Sequence, residues 1–277
     1  MKLPAPIYTA HLFPVLEARL VELLRGLDAE QWEWPTICAG WRVKDVAAHL
    51  LDTSIRRLSM ARDGYVGETP DGFEYQDLVA FLNRLNADWV RAARRISPRI
   101  LVELIEQASQ EVYELFKSLD PHAPAAFAVS WAGEEVSENW FDIAREYTER
   151  WHHQQQIRLA VGQAGITGRE LYFPVLDTFM RGLPHAYRNV AATDGTLLQF
   201  DITGAAGGSW FLLRQYGKWR LGVGAEGPRA ATVSIPQEIA WRIFTKGIDK
   251  STARQNITIT GDEKLAGEIL NMLSVMA

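Results

Sequence analysis

The stretch Glu149-Arg-Trp-His-His153 carries the strongest chemical signal in the sequence. Glu149 and His153 are four residues apart, and on an α-helix this spacing places two Cβ atoms about 6 Å apart on one face. A carboxylate and an imidazole arranged in this way can bind one metal ion. His152 lies three residues from Glu149, so the spacing alone leaves it open which histidine would be the ligand.

The position of this pair on its helix predicts its surroundings. With about 100° between successive residues, Glu149 and His153 lie nearly opposite the apolar stripe that contains Tyr147 and Trp151. A metal ion held by the pair is therefore expected on a flank of a helical bundle, or in a groove against another element that the second domain helps to enclose. The alternative interpretation is an ordinary solvated face, on which a glutamate and a histidine pair incidentally.

A second histidine, His49, lies on a different predicted helix. It falls roughly 60° beyond Val46, at the edge of an apolar stripe. Histidines at such a boundary are usually half-buried and hydrogen-bonded. Its position alone therefore predicts no metal-binding role.

Amphipathic periodicity predicts helices through roughly the first 165 residues. Apolar residues recur every three or four positions, and Pro or Gly interrupts the pattern between one helix and the next. Long helices with short connections are typical of a bundle. The predicted helices cover residues 12–24, 41 up to Gly64, 75–95, 99–119 and 139–161.

The pattern then changes to the two-residue alternation of β-strands. One more helix is predicted within residues 168–188, and strands near 198–203, 209–216, 219–223, 231–235 and 256–260. An amphipathic stretch covers 236–246, and a final helix begins at Asp262. Strands and helices in this order predict an α+β domain. We therefore expect two domains, 1–166 and 167–277.

Composition excludes several classes of protein. A formal net charge of −5 gives no reason to expect nucleic-acid binding. Because Cys38 is the only cysteine, neither an intramolecular disulfide nor a thiolate metal cluster can form, and we assign Cys38 no role. The first ten residues do not resemble a signal peptide, and no stretch approaches the roughly 20 apolar residues needed to span a membrane. We expect a cytoplasmic protein, as a monomer or homodimer, with no membrane partner.

The segment from Thr36 to Leu50 resembles the second-helix signature of the DinB-like superfamily, and within it the mycothiol-dependent maleylpyruvate isomerase branch. In that branch a Gly-Trp pair opens the helix, an Asp follows four residues after the Trp, and a metal-binding His follows four residues later. Gly40, Trp41, Asp45 and His49 match this pattern.

The resemblance extends over nearly the whole chain. The family places a Glu-x3-His pair on a later helix, which Glu149 and His153 match, so the resemblance selects His153 over His152. The region 171–277 is similar to the family's second domain. The resemblance thus implies a DinB-like four-helix bundle followed by a small α+β domain, with His49, Glu149 and His153 as metal ligands.

Two imidazoles and one carboxylate suit Zn²⁺ first, with Ni²⁺, Co²⁺ and Fe²⁺ as alternatives. Three protein ligands leave a position open for water or substrate, as in catalytic sites. The resemblance implies an enzyme that uses a low-molecular-weight thiol such as mycothiol as cosubstrate, in an isomerase or S-transferase reaction on an electrophile. The three residues would act as ligands rather than as proton shuttles, and no further catalytic residue is assigned.

Two other functions remain open from the sequence. The first is a non-catalytic metal-binding stress protein, or a protein that binds an apolar small ligand. The second is a metal-assisted hydrolase, for which Glu146 is the candidate general base. Arg214 and Arg220 lie on predicted strands and could pair with a substrate carboxylate, but exposed strand arginines are common and we leave both out of the site.

Overall fold

The computed structural model describes residues 1–72 and 74–275. Their packing divides the chain into two compact units. The helical unit contains Thr9–Ala126 and Glu149–Gly165, and the sheet unit contains Met1–Tyr8, Phe127–Thr148 and Ile166–Val275. The single domain boundary predicted after residue 166 stays a prediction.

The first part of the chain is helical, as the periodicity predicts. Its helices are α1 (Phe13–Arg25), α2 (Val43–Arg57), α3 (Tyr75–Ala93), α4 (Pro98–Ser118) and α5 (Asn139–Ala160). The first ten residues of α5 belong to the sheet unit and the rest to the helical unit. The predicted fold class, a helical region followed by a mixed α+β region, is confirmed.

Helix α2 differs from its prediction at both ends. The backbone N–H of Arg42 donates to the Asp45 carboxylate at 3.1 Å, which caps the helix, so α2 begins at Val43 rather than at Trp41. At its other end, the chain continues as a π-helical turn, Leu58–Arg62, instead of regular α-helix up to Gly64. Such turns contain an extra residue that changes the direction of the side chains that follow.

The apolar stripe predicted for α2 forms the centre of the helical unit. Val43, Val46, Ala47 and Leu50 are at most 2% exposed, and they pack in one cluster with apolar residues of α1, α4 and α5. Burial of these side chains stabilises the position of α2 against the other helices. The core therefore fixes the helix that carries His49.

The sheet unit contains further helices and a five-stranded sheet. In chain order its elements after α5 are α6 (Arg169–Met180), α7 (Leu183–Ala186), β1 (Leu197–Thr203), β2 (Gly208–Gln215), β3 (Lys218–Gly222), β4 (Ala231–Pro236), α8 (Gln237–Phe244), α9 (Lys250–Gln255), β5 (Thr258–Gly261) and α10 (Glu263–Gly267). The strand order is β3-β2-β1-β4-β5, and β1 and β4 are parallel whereas the other neighbours are antiparallel.

The structure of this region differs from the prediction in two respects. The single helix predicted within 168–188 is two helices, α6 and α7, because Pro184 has no amide hydrogen to continue the first helix and lies instead in the first turn of the second. Helix α9 was not predicted.

Within the described part of the chain, no helix is both long and apolar enough to cross a membrane.

Candidate metal centre

Helix α5 brings three potential ligands together. Oε2 of Glu149 lies 3.6 Å from Nε2 of His153 and 3.9 Å from Nδ1 of His152. Among the described residues, the donor atoms of these three side chains form a group in which all lie within 4.8 Å of one another. The structure thus brings the predicted Glu149–His153 pair together, and it also includes His152, which the sequence left open.

The distances in this group suit an ion better than direct hydrogen bonds. Both exceed the roughly 3.2 Å limit of a good N–H···O hydrogen bond. Two ligands that are each about 2.1 Å from one tetrahedral ion lie about 3.4 Å apart. The observed separations of 3.6 and 3.9 Å are close to that value.

The face that carries these residues is buried, and the interpretation as a solvated face is wrong. His152 and His153 are 4% and 6% exposed. Asp142 and Glu146, on the same face, are also buried, so α5 packs on this side as well as along its aromatic stripe. The apolar periodicity misses this second packed face because its residues are polar.

His49 lies on α2 beside His153. The centroids of the two rings are 4.8 Å apart, with an angle of 73° between the ring planes. The ring of Trp41 also contacts His49, with its centroid 5.0 Å from that of the histidine ring. His49 does not belong to the close donor group of the described residues, although its ring is in contact with that group.

The helical position of His49 predicted a half-buried side chain, and this prediction is wrong, because His49 is buried. Among the described residues, none hydrogen-bonds its Nδ1 atom. Burial lowers the pKa of His49 well below its usual range, and the electrostatic effects of His153, Arg56 and His152 lower it further. The ring is therefore neutral near pH 7 and keeps a lone pair available to a cation.

Gln156 orients His153, and the sequence analysis did not find it. Its Oε1 atom lies 2.8 Å from Nδ1 of His153, and its side chain is buried. When Nδ1–H donates to this oxygen, Nε2 is left unprotonated on the side of Glu149. A polar residue three positions after a candidate ligand histidine on a helix was the signal that could have found it.

A buried ion pair joins other helices to α5 next to the candidate ligands. Arg150, next to Glu149, donates to Glu17 of α1 at 2.7 Å and to Ser54 of α2 at 2.8 Å. The other carboxylate oxygen of Glu17 accepts from Ser109 of α4 at 3.0 Å. Three helices of the helical unit are thereby connected to the turn of α5 that carries the candidate ligands.

The start of α2 is built by residues of the Gly-Trp segment. Gly40 has a φ of +79°, a left-handed conformation that glycine adopts without strain. Asp45, besides capping the helix, accepts from Nε of Arg94 at 3.2 Å. These contacts give a structural reason for Gly40 and Asp45: they shape the start of α2, between Trp41, which precedes the helix, and His49, which lies within it.

The remaining candidates have other surroundings. Cys38 is half-buried, and burial raises the pKa of its thiol. The carboxylate of Glu146 lies 3.4 Å from Arg145, in an ion pair. In the sheet unit the guanidinium of Arg214 lies over the ring of Trp219, and Arg220 is exposed.

Comparison with solved structures finds the same fold in two related crystal structures. A histidine-to-alanine mutant of the mycothiol-dependent maleylpyruvate isomerase matches with a TM-score of 0.55 and 12% identity over 91% of each chain. A crystal structure of the mycothiol-dependent maleylpyruvate isomerase matches with a TM-score of 0.52 and 13% identity, over 84% of this chain and 86% of that one. No curated protein sequence matches the chain.

Comparison with family models gives a match to the mycothiol maleylpyruvate isomerase N-terminal domain over residues 13–158. The matched region is more than half of the 277-residue chain and includes His49, Glu149 and His153. The predicted resemblance of the chain to the maleylpyruvate isomerase branch of the DinB-like superfamily is thereby confirmed. The chain belongs to the mycothiol maleylpyruvate isomerase N-terminal domain family.

Proposed function

We propose that the protein is a thiol-dependent isomerase or S-transferase whose site contains one divalent metal ion bound by His49, Glu149 and His153. The observation that carries this proposal is the convergence of these three side chains within the region that matches the family domain. Their donor atoms, two imidazole nitrogens and a carboxylate oxygen, suit Zn²⁺ first and Ni²⁺, Co²⁺ or Fe²⁺ as alternatives.

The residues of this structure fit such an ion. The buried Nδ1 of His49 has no hydrogen-bond partner among the described residues. Burying a polar atom without a partner costs free energy, and a cation bound to the ring would offset that cost. The carboxylate of Glu149 supplies negative charge beside two buried imidazoles. When bound, the cation supplies a Lewis acid that stabilises the deprotonated sulfur of a thiol.

The proposed reaction begins with attack of the thiolate on an electrophilic carbon. The sulfur adds to an activated carbon–carbon double bond, a C–S bond forms, and the electron pair of the double bond moves onto the conjugated carbonyl oxygen. Rotation about the resulting single bond follows. Return of the electron pair expels the thiolate and restores the double bond in the other geometry. In a transferase the carbon takes up a proton and the adduct is released.

We propose an α,β-unsaturated carbonyl compound as the electrophile, since the two similar solved structures are those of a maleylpyruvate isomerase. Mycothiol is the first thiol to test for the same reason. The chain's own residues bind and orient the reacting groups in this proposal: Gln156 fixes the tautomer of His153, and Trp41 covers one side of His49.

The proposal is tested by metal analysis together with a turnover assay. We expect about one divalent ion per purified chain, and isomerisation of maleylpyruvate only when mycothiol is present. The His49→Ala and His153→Ala variants should lose the ion and the activity, whereas His11→Ala, an exposed histidine, should keep both. Full turnover by chelator-treated, metal-free protein would contradict the role of the metal.

A second comparison separates an enzyme from a binding protein. Mycothiol, bacillithiol and glutathione are each assayed with the electrophile and the metal-loaded protein. Turnover with one of them supports the proposed function. A metal-loaded protein that turns over none of them, but binds the electrophile unchanged, contradicts the catalytic function and favours the non-catalytic alternative.

A further inference from the structure

We infer that His152 is a fourth protein ligand of the proposed metal ion, in addition to His49, Glu149 and His153. This inference rests on the proposed function and deepens it, because the family pattern assigns only one histidine of the adjacent pair. The observation that carries it is the geometry around one carboxylate oxygen of Glu149.

Both histidines of the pair direct a ring nitrogen toward the same atom. Nδ1 of His152 and Nε2 of His153 lie 3.9 and 3.6 Å from Oε2 of Glu149. Positions three and four residues along a helix are both neighbours of the starting residue, so one ion beside Glu149 can be reached by both rings. All donor atoms of the three residues lie within 4.8 Å of one another.

The rings are also arranged for binding at one point. Their centroids are 4.0 Å apart with 35° between the ring planes, so they lie side by side rather than on different faces of the helix. His152 is 4% exposed, which excludes a solvated position for it. A compact, buried group of two imidazoles and a carboxylate concentrates lone pairs and negative charge, and a divalent cation offsets the cost of burying them.

A fourth ligand changes what the site does. With His152, three imidazoles and one carboxylate would be available to hold the ion, and a thiol would have to compete with them for it. Of the two histidines of the pair, His152 has the donor that lies farther from Oε2 of Glu149. We expect the protein to retain its metal more tightly than a three-ligand site does.

The test uses Co²⁺-loaded full-length protein and the His152→Ala variant, with His11→Ala as the matched exposed control. The visible absorption spectrum of Co²⁺ reports the number and kind of ligands directly and needs no substrate. We expect the spectrum of His152→Ala to differ from wild type in band position and intensity, and added imidazole to restore it. Metal affinity, measured by competition with a chelator, should fall by more than the roughly 100-fold that loss of an outer-sphere contact costs.

The outcomes separate this inference from the proposed function. A His152→Ala variant with the wild-type Co²⁺ spectrum and affinity overturns the inference, while metal loss in His153→Ala and His49→Ala would still support the three-ligand site. A wild-type protein that binds no Co²⁺ overturns both. Circular dichroism and thermal unfolding of the metal-free variants establish that each is folded before its metal affinity is compared.

Discussion

Gln156 lies in hydrogen-bond contact with His153: its Oε1 atom is 2.8 Å from Nδ1, on the opposite side of the ring from the nitrogen that faces Glu149. Replacement by leucine removes this acceptor and frees the ring to rotate and to change tautomer. We expect Gln156→Leu to lower metal affinity by about 10- to 100-fold. Chelator competition measures the change.

Two further variants control this prediction. Gln156→Glu keeps an acceptor at the same position and should keep metal affinity at least near that of wild type. Gln163→Leu, an exposed glutamine beyond the end of α5, should leave it unchanged. Equal affinity in Gln156→Leu and wild type would show that the contact does not orient a ligand.

Metal binding should stabilise the folded protein, because His49 joins the three candidate ligands of α5 only in the folded helical unit. For an ion present at 100 times its dissociation constant, the free energy of unfolding rises by up to about 2.7 kcal/mol. We expect the unfolding temperature of the metal-free protein to rise on addition of Zn²⁺, and that of His153→Ala to stay the same. Differential scanning calorimetry makes the comparison, and an equal rise in both proteins would place the ion elsewhere.

The buried ion pair between Arg150 and Glu17 should be important for stability. Their side chains are 2% and 10% exposed, so Arg150→Met leaves a carboxylate buried without its partner. We expect a loss of about 3–5 kcal/mol in the free energy of unfolding, measured by urea denaturation. The exposed pair of Arg25 and Glu106 gives the matched control, since Arg25→Met should cost less than about 1 kcal/mol.

A glycine in the last strand tests the sheet unit. Gly261 has a φ of +88°, and a Cβ atom added there would lie 2.3 Å from the carbonyl oxygen of Ala230. We expect Gly261→Ala to lower the free energy of unfolding by about 1–3 kcal/mol, the usual cost of a strained backbone. Gly267, at the end of α10, has open space around its Cα, and Gly267→Ala should stabilise the fold slightly or leave it unchanged.

Thermal unfolding of the two glycine variants distinguishes these expectations. If only Gly261→Ala has a lower unfolding temperature than wild type, the result agrees with a strained backbone at this residue. Equal unfolding temperatures of the two variants would show that the backbone around Gly261 relaxes to accommodate the new methyl group.

The sequence predicted the helices well because their stabilising residues are local. The apolar stripe of α2 and the prolines and glycines between helices are read directly from spacing, and the predicted 139–161 helix agrees with Asn139–Ala160 to within one residue. The π-helical turn Leu58–Arg62 was missed because no local signal distinguishes it from regular helix. The parallel pairing of β1 with β4 was missed because it depends on residues far apart in the chain.

The candidate site was predictable in part. The spacing of Glu149 and His153 gave the pair, and the resemblance added His49. The burial of this face could not be predicted, since a helix packed by polar residues such as Asp142 and Glu146 leaves no apolar period. The ring contact between His49 and His153 joins two helices that are about 100 residues apart in sequence, and only the folded chain shows it.

Glu149, His152 and His153 lie within five consecutive residues of one helix. A chelate made by these side chains alone closes almost no loop, so it forms in a helical fragment and in the unfolded chain as well, and such binding adds little to the stability of the native state. His49 changes this, because an ion shared with it closes a loop of about 100 residues, as a covalent cross-link would. Without His49 the ion would connect residues of one helix turn only, whereas with His49 it would connect two helices and stabilise the tertiary structure.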